Sequence, residues 1–331
     1  MATPARLAGA LAFFVVVVVL ATLFALMTGY QPIAWSDLQT DETARTIFFR
    51  LRIPRVVLGL LVGGSLAGVG AALQALFRNP LAEPFTLGVS GGGALGASVA
   101  IALGFGANIA GVPLVFIFAF AGSIAFVSIV YRLASAGSVV MPGTLLLAGV
   151  VLNLIAGAGV LMIQFMTDYT RALQILRWMV GSLDVIGMDL VWRMLIFLVP
   201  GMLLLLATTR DLHLIAMDEE SAASLGVNVR RVERIVYAAS SLVVGVTVAV
   251  AGPIGFVGLI VPHAVRRLFG EDLRVVIPCS ILAGAAFLVL ADSLARSLLG
   301  ASELPVGAVT ALIGGPLFLI LLTRRRRYAA I

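Results

Sequence analysis

The sequence predicts an all-α polytopic membrane protein with about ten transmembrane helices in a single domain, residues 1–331. Of these residues 61% are hydrophobic and only 11% are charged, whereas soluble domains carry about 25% charged residues. The apolar residues form continuous runs of about 17–24 residues, the length that crosses a bilayer as a helix. An outer-membrane barrel would instead show shorter segments that alternate with period two.

Ten such runs are candidate spans. The first resembles a signal peptide, but its apolar part exceeds the roughly 7–15 residues of a typical signal, so we expect a retained helix. Only Gly252 and Pro253 separate the seventh run from the eighth, so nine spans are possible if these two runs form one helix. The runs are 7–28, 54–76, 85–104, 112–131, 143–165, 190–208, 235–251, 254–269, 277–298 and 305–323.

The arginines predict the orientation of the chain. An even number of spans places both termini on one side, and most arginines then lie on that side, including the terminal 324-RRRR-327. Because positive residues favour the cytoplasmic side, we expect both termini in the cytoplasm. The net charge of +6 then reflects membrane orientation and not binding to nucleic acid.

The residue types that are missing exclude several kinds of chemistry. All 22 basic residues are arginine, and a Walker A loop needs a lysine on the nucleotide phosphates, so ATP energy must come from a partner. The single cysteine, Cys279, excludes a disulfide framework or a cysteine metal site. No cluster of His, Asp, Glu or Cys predicts a catalytic or metal site. The segment 91-GGGALG-96 fits G-x-G-x-x-G but lacks a β-α-β context, so it predicts close helix packing.

Some arginines remain on the side that the orientation rule disfavours. Arg52 and Arg55 lie at the entry to the second span, and Arg296 ends the ninth. An acidic partner that docks from outside would explain them, and snorkelling to lipid headgroups is the alternative. We assign the headgroup role to Arg45 and Arg50.

Two further features bear on transport. A faint repeat relates residues 52–165 to residues 230–323 in inverted orientation, an arrangement typical of transporters. An ion-coupled secondary transporter would also place ionisable residues at mid-membrane, and the spans offer little beyond Asp292. This residue lies one helical turn before Arg296 and is expected to pair with it.

A short segment between the sixth and seventh spans differs from its apolar surroundings. Three carboxylates would form the first turn of a helix, where they complement the helix dipole, and a glycine would end it. The small residues between them would let another protein approach the backbone, whereas a helix lying on lipid would present large apolar residues. The predicted helix covers about 218–226 and includes Asp218, Glu219, Glu220, Ala222, Ala223, Leu225 and Gly226.

The segment 220-ESAASLG-226 resembles the coupling helix of ATP-binding-cassette (ABC) importer permeases, which inserts into a cleft on the ATPase. The rest of the chain is similar to FecCD-type permeases for iron–siderophore complexes, haem and cobalamin. The matching segments run in order over nearly the whole chain. They are 52-RIPR-55, 74-QALFRNPLAEPFTLGVSGG-92, 177-RWMVGSL-183, 219-EESAASLGVNV-229, 252-GPIGFVGLIVPH-263 and 305-PVGAVTALIGGPLFLILL-322.

The resemblance implies a homodimer in the bacterial inner membrane, with two ATPase subunits that bind ATP and Mg²⁺ inside and a periplasmic binding protein outside. It implies that Arg52, Arg55 and Arg296 face acidic groups of the binding protein. The expected cargo is haem or a ferric siderophore, with cobalamin as the alternative in the same class. An ion-coupled secondary transporter is the alternative from a different class.

The resemblance also implies a pathway between the subunits that the fifth span lines. Asn153 and Gln164 are therefore candidate pathway residues. Gly143 and Thr144, at the start of that span, are candidates for an inner gate, and an ordinary short turn is the alternative.

Overall fold

The structure is a computed structural model. It describes residues 4–29, 36–106, 108–109, 111–135, 142–298 and 303–328, without the side chains of 4, 142 and 321–328. This part of the chain is almost entirely helical, with one two-residue strand pair, β1 and β2. The elements are α1 Pro4–Met27, α2 Asp37–Thr40, α3 Glu42–Ile47, α4 Ile53–Leu76, α5 Val89–Ala102, β1 Asn108–Ile109, β2 Val112–Pro113, α6 Leu114–Ala134, α7 Pro142–Met166, α8 Tyr169–Met179, α9 Asp189–Ala207, α10 Thr209–Met217, α11 Glu219–Ser224, α12 Val229–Ala251, α13 Val257–Phe269, α14 Leu273–Leu298 and α15 Val306–Tyr328.

Each of the ten predicted spans contains one of these helices, which confirms an all-α membrane protein. Within the described ranges, seven helical segments are by themselves long and apolar enough to cross a membrane. Helices α5 and α13 are shorter than predicted, with 14 and 13 residues; 13 residues rise only about 20 Å. In the first case, a 3₁₀ turn at Pro84–Leu87 and Gly88 in the left-handed region (φ 83°) occupy the start of the predicted run.

The seventh and eighth predicted spans are separate helices, so the alternative of one continuous helix is wrong. Helix α12 ends at Ala251, and Gly252 turns the chain with a φ of 69°. A Cβ at Gly252 would lie 2.6 Å from the Trp178 carbonyl oxygen, so this position needs glycine. Phe256 also has a positive φ, 69°, before α13 begins. Irregular backbone at membrane depth is tolerated where protein covers it, and Ile254 in this break is only 1% exposed.

The second predicted span begins earlier in the structure than in the sequence analysis. A continuous helical segment runs over Glu42–Leu76, because α3 passes through a π-helical turn at Phe48–Arg52 into α4. The wider turn lies just before Pro54, whose ring removes one backbone donor from the helix. The arginines of this segment lower its local hydropathy, so the apolar pattern did not predict the part of the helix before residue 54.

Helix α4 is the central element of the fold, and its small residues let neighbouring backbones approach. A Cβ at Gly63 would lie 2.2 Å from the Gly284 carbonyl oxygen of α14, and one at Gly70 would lie 2.0 Å from that of Gly258 in α13. The same device joins α5 to α6, where a Cβ at Gly92 would meet the Gly122 carbonyl oxygen at 2.3 Å. The prediction that the glycines of residues 91–96 serve helix packing is therefore confirmed.

Candidate functional site

Six charged side chains meet at the N-terminal end of α4, beside a cavity of about 590 Å³. Arg55 lies at their centre. Its Nε and Nη2 atoms donate to the Asp292 carboxylate at 3.1 and 2.9 Å. Its Nη1 atom lies 2.8 Å from Asp184 and 2.7 Å from Glu303. We call this group the arginine cluster, and its members are Arg52, Arg55, Arg296, Asp184, Asp292 and Glu303.

Two of the arginines also cap the C-terminal end of α1. Arg52 donates from Nη1 to the Leu26 carbonyl oxygen at 3.1 Å. Arg296 donates to the carbonyl oxygens of Ala25 and Thr28 at 3.3 and 3.2 Å. The last carbonyls of a helix lack partners within it and carry the negative end of its dipole, so the guanidinium groups stabilise them. Both arginines are buried, with 6% and 4% of their surface exposed.

The structure thus brings the three predicted docking arginines together, but it pairs them inside the protein. Arg296 Nε lies 3.0 Å from Asp292 Oδ2, which confirms the predicted pair. The cluster contains three guanidinium groups and three carboxylates, so its formal charge sums to zero. The carboxylates pair with Arg55 and Arg296, and Arg52 donates to a backbone carbonyl. A partly buried charge is stable only when it is paired, which explains why these arginines have internal partners. Their docking role stays a prediction.

The sequence analysis missed Asp184 and Glu303. Each is more than 120 residues away from Arg55, so no local spacing could connect them with it. One signal was available: Asp184 directly follows the matching segment 177–183, and Glu303 lies two residues before the segment that starts at Pro305.

The predicted coupling helix forms at the other end of α4 as α11. Its six residues are shorter than the predicted 218–226, because Asp218 is the N-cap and the last residues form the exit turn. Asp218 Oδ2 accepts the Ser221 backbone N–H at 2.8 Å. The hydroxyl and the backbone N–H of Ser221 both stabilise the charged carboxylate and lower the pKa of Asp218. Gly226 ends the turn with a φ of 87°, as predicted.

Most of the coupling helix is presented to the surface. Glu219, Glu220, Ala223 and Gly226 are exposed, and Leu225 exposes 70% of its surface. The backbone and small side chains of this helix are therefore accessible to another protein.

Ala222 differs from its neighbours. It is only 1% exposed and belongs to the main hydrophobic core, so it packs α11 onto the permease. Ala222 therefore does not present its own side chain to a partner, and its role in the coupling helix stays a prediction. A helix of six residues buries one face against its own protein, and Ala222 lies on that face.

An ion pair joins the coupling helix to α4. Arg78 Nη2 lies 2.8 Å from Glu219 Oε2, with 43% and 54% of the two side chains exposed. Arg78 has a positive φ of 47°, which is uncommon for a residue with a side chain. The sequence did not predict this contact, since 141 residues separate the partners.

Several polar contacts also stabilise the break between α12 and α13. Glu83 Oε1 accepts the backbone N–H of Phe256 at 2.6 Å. The side chain of Gln74 donates to the carbonyl oxygens of Gly258 and Leu259 at 3.2 and 3.1 Å and accepts from Arg266. These contacts join the matching segments 74–92 and 252–263. They give partners to the Phe256 N–H at the break and to the Gly258 carbonyl oxygen, which lacks its helical donor because Pro262 has no N–H.

Asn153 lies on α7, the fifth predicted span, and its side chain contacts the segment before α5. Its Nδ2 donates to the Phe85 carbonyl oxygen at 2.9 Å, and its Oδ1 accepts from the Gly91 N–H at 3.0 Å. The amide therefore ties α7 to the turn before α5, and both of its polar atoms are used in this packing. Asn153 therefore takes part in helix packing, and its role in a pathway stays a prediction.

The other pathway and gate residues lie on α7 as well. Gly143 and Thr144 are exposed at its start, and Gln164 is half-buried near its end. Residues 136–141, which precede the two gate candidates Gly143 and Thr144, lie outside the described residues. The gate and pathway roles of these three residues stay predictions.

Known proteins are similar to this chain over nearly its whole length. The FecCD transport family matches residues 15–324. The cobalamin import permease BtuC of Halobacterium salinarum is 44% identical over 86% of this chain and 75% of its own length. The hemin transport permease HmuU of Yersinia pestis is 36% identical over 96% of each chain.

A solved structure agrees with these relatives. It is described as an inward-facing conformation of a metal-chelate type ABC transporter, and it superposes with a TM-score of 0.81 over 96% of this chain and 99% of its own, at 32% identity. These matches exclude the alternative of an ion-coupled secondary transporter. The chain belongs to the FecCD transport family and is an ABC importer permease.

Proposed function

We propose that this permease imports a bulky metal chelate that a soluble binding protein delivers, with haem or a ferric siderophore as the first candidate. The observation that supports the proposal best is the separation of the two sites. The arginine cluster lies at one end of α4 and the coupling helix at the other, about 36 Å of helix apart at about 1.5 Å per residue. An importer that receives its cargo on one side and its energy on the other needs this separation.

Cobalamin is the second candidate cargo. Its support is the 44% identity to a cobalamin permease, against 36% to a hemin permease. The solved relative is described only as metal-chelate type, which fits both candidates, since cobalamin is also a metal chelate.

The binding protein docks, in this proposal, at the end of α4 that carries Arg52, Arg55 and Arg296. Of the three arginines, Arg55 reaches furthest toward the cavity, with 14% of its side chain exposed. An acidic group of the partner can approach its Nη1 atom from the cavity, whereas Arg52 and Arg296 stay bound to the end of α1. Charge pairs of this kind govern association rate and register more than affinity.

The coupling helix contacts a separate ATPase, which binds ATP and Mg²⁺ and performs the hydrolysis. Ala223 and Leu225 lie on the exposed face of α11, and Ala222 fixes that helix to the permease. Movement of the ATPase is then transmitted through the permease core. The permease itself makes or breaks no covalent bond, and it binds no cofactor, metal ion or nucleic acid.

Two copies of the chain form the transporter in the bacterial inner membrane, with both termini in the cytoplasm. Support comes from α7, which exposes a row of large apolar residues for a second copy or for lipid to cover. Leu154, Leu161 and Phe165 expose 69%, 67% and 94% of their surface. The single domain, residues 1–331, then contains the inverted halves 52–165 and 230–323.

Uptake into proteoliposomes tests the proposed function. The permease is reconstituted with its ATPase and binding protein, and the uptake of hemin, a ferric hydroxamate siderophore and cyanocobalamin is measured with and without ATP. We expect ATP-dependent uptake of one chelate class. Uptake of an iron chelate supports the first candidate, uptake of cyanocobalamin supports the second, and the absence of ATP-dependent uptake of all three would contradict the proposal.

A further inference from the structure

The N–H groups of Arg55 have two kinds of partner. Nε and Nη2 are bound to Asp292, whose side chain is only 3% exposed. Nη1 is shared by Asp184 and Glu303, whose side chains are 68% and 41% exposed. One side of the guanidinium is therefore fixed in the protein interior, and the other side has partners at the surface.

The two kinds of ion pair differ in how easily they exchange. A buried pair cannot lose one partner without leaving an unpaired charge in a medium of low dielectric constant. A pair at the surface contributes little, because water and salt screen it. Arg55 can therefore release Asp184 and Glu303 while it stays bound to Asp292.

The two surface carboxylates lie where a docking partner must approach. Asp184 follows α8, and Glu303 precedes α15, so they come from two different connections between helices. Both line the cavity of about 590 Å³ together with Arg55, and so does Ile186, which is 79% exposed. A carboxylate of the binding protein that approaches Nη1 through this cavity meets Asp184 and Glu303 first.

We propose that Asp184 and Glu303 mask Arg55 in the free permease and that an acidic group of the binding protein displaces them on docking. The inference rests on the docking role proposed above. With both carboxylates in place the cluster is formally neutral, and without them its charge is +2, because Asp292 is then the one carboxylate among three arginines of the cluster. The mask lowers the affinity for acidic partners in general, so only a partner that matches the cavity in shape and charge binds well. The two carboxylates thus act as intramolecular competitors and increase the specificity of docking.

The test is a variant that removes both masking charges and keeps the side-chain shapes, Asp184→Asn with Glu303→Gln. The permease in nanodiscs is titrated with two probes, the cargo-free binding protein of the same importer and a fluorescent hexaglutamate peptide. We expect both dissociation constants to fall about 3- to 10-fold, with a steeper dependence on salt, because more uncompensated charge is available. The matched control is Glu42→Gln with Asp168→Asn, two exposed carboxylates outside the cluster, which should change neither constant.

A second variant shows whether Arg55 is the masked group. Arg55→Lys keeps a cation beside Asp292 but loses the planar fork that binds partners on two sides. When it is added to the double variant, the gain in affinity should disappear, which is the coupling that a double-mutant cycle measures. A gain that persists in the combined variant would assign the effect to another cation and overturn the inference.

The two probes separate the possible failures. If neither probe binds the double variant more tightly than the wild type, Asp184 and Glu303 do not mask Arg55. If only the peptide gains, the carboxylates do mask Arg55, but the binding protein docks elsewhere, and the proposed docking role fails. If the binding protein loses affinity, the two carboxylates contact its cations directly, which overturns the inference.

Discussion

The two ends of α4 differ in how accessible their proposed contact residues are to a partner protein. At the N-terminal end, the arginines predicted to dock a protein are paired inside the fold, and Arg296 is only 4% exposed. At the C-terminal end, the small residues of α11 lie on the surface, and Leu225 is 70% exposed. The permease thus presents its coupling helix openly, whereas its docking charges already have internal partners.

The cause is the reach of the side chains. Arginine has a long side chain, and in a helix as buried as α4 it extends to carboxylates on neighbouring elements, as Arg55 does to Asp292 and Glu303. The alanine and serine side chains of the short helix α11 are too small to contact distant partners in this way. The difference shows that a count of charges predicts where a site lies, but not whether its charges are available.

The largest expected difference between the two ends is in stability. Asp292→Ala leaves Arg55 and Arg296 without their shared buried carboxylate, and breaking a buried pair costs about 3–5 kcal/mol. Glu219→Ala removes the partner of Arg78 at the surface and should cost about 1 kcal/mol or less. Thermal unfolding in detergent compares the two variants, and equal losses would contradict the contrast between the ends.

A bulky charge on the open end should abolish coupling without unfolding the protein. Ala223→Arg places a long cation on the exposed face of α11, where the ATPase must come close to the backbone. We expect ATP-driven uptake to fall more than tenfold while the melting temperature stays unchanged. The control is Thr170→Arg, which adds the same charge to an exposed position of α8. Normal uptake by Ala223→Arg would exclude α11 as the contact.

The ion pair between Arg78 and Glu219 should have a smaller effect, because both side chains are about half exposed. Arg78→Glu or Glu219→Arg places like charges next to each other and should lower ATP-driven uptake about two- to fivefold. The double variant Arg78→Glu with Glu219→Arg restores the pair in reverse and should recover most of the activity. If the loss of ATP-driven uptake in the double variant equals the losses of the two single variants combined, Arg78 does not position α11 through this contact.

The smallest expected effect concerns pH. Hydrogen bonds from Ser221 lower the pKa of Asp218, so the charged cap contributes stability above the ordinary aspartate pKa of about 3.9. This contribution is lost only as the pH falls through the lower folded value. Affinity of the ATPase for the permease should therefore be unchanged between pH 8 and pH 5. Asp218→Asn should resemble the wild type, and Asp218→Ala should bind more weakly, because asparagine also caps a helix and alanine does not. A marked loss in the wild type near pH 6 would contradict this role of the cap.

The sequence predicted what is local and periodic. The long apolar runs, the break at Gly252 and the acidic start and glycine stop of α11 all depend on residues close together in the chain, and all are present in the structure. The Asp292–Arg296 pair belongs to the same class, since one helical turn joins its members.

Contacts between distant segments could not be predicted in this way. Asp184 and Glu303 reach Arg55 only because α4 and α14 pack closely and the connections after α8 and before α15 lie above them. Asn153 looked like a polar group inside a span, and only the fold shows that Phe85 and Gly91 use its amide. The face of α11 that carries Ala222 was likewise undetermined, because six residues contain too few turns for an apolar period.

Accessibility of single cysteines tests the contrast between the two ends most directly. The only native cysteine, Cys279, is fully buried, so Ala223→Cys and Ile186→Cys report on α11 and on the cavity of the arginine cluster with little background. Both should react with a maleimide in the free permease. The ATPase should protect only position 223, and the binding protein only position 186. A cysteine at position 223 that reacts equally fast in the assembled complex with the ATPase would contradict the central claim that α11 is the contact.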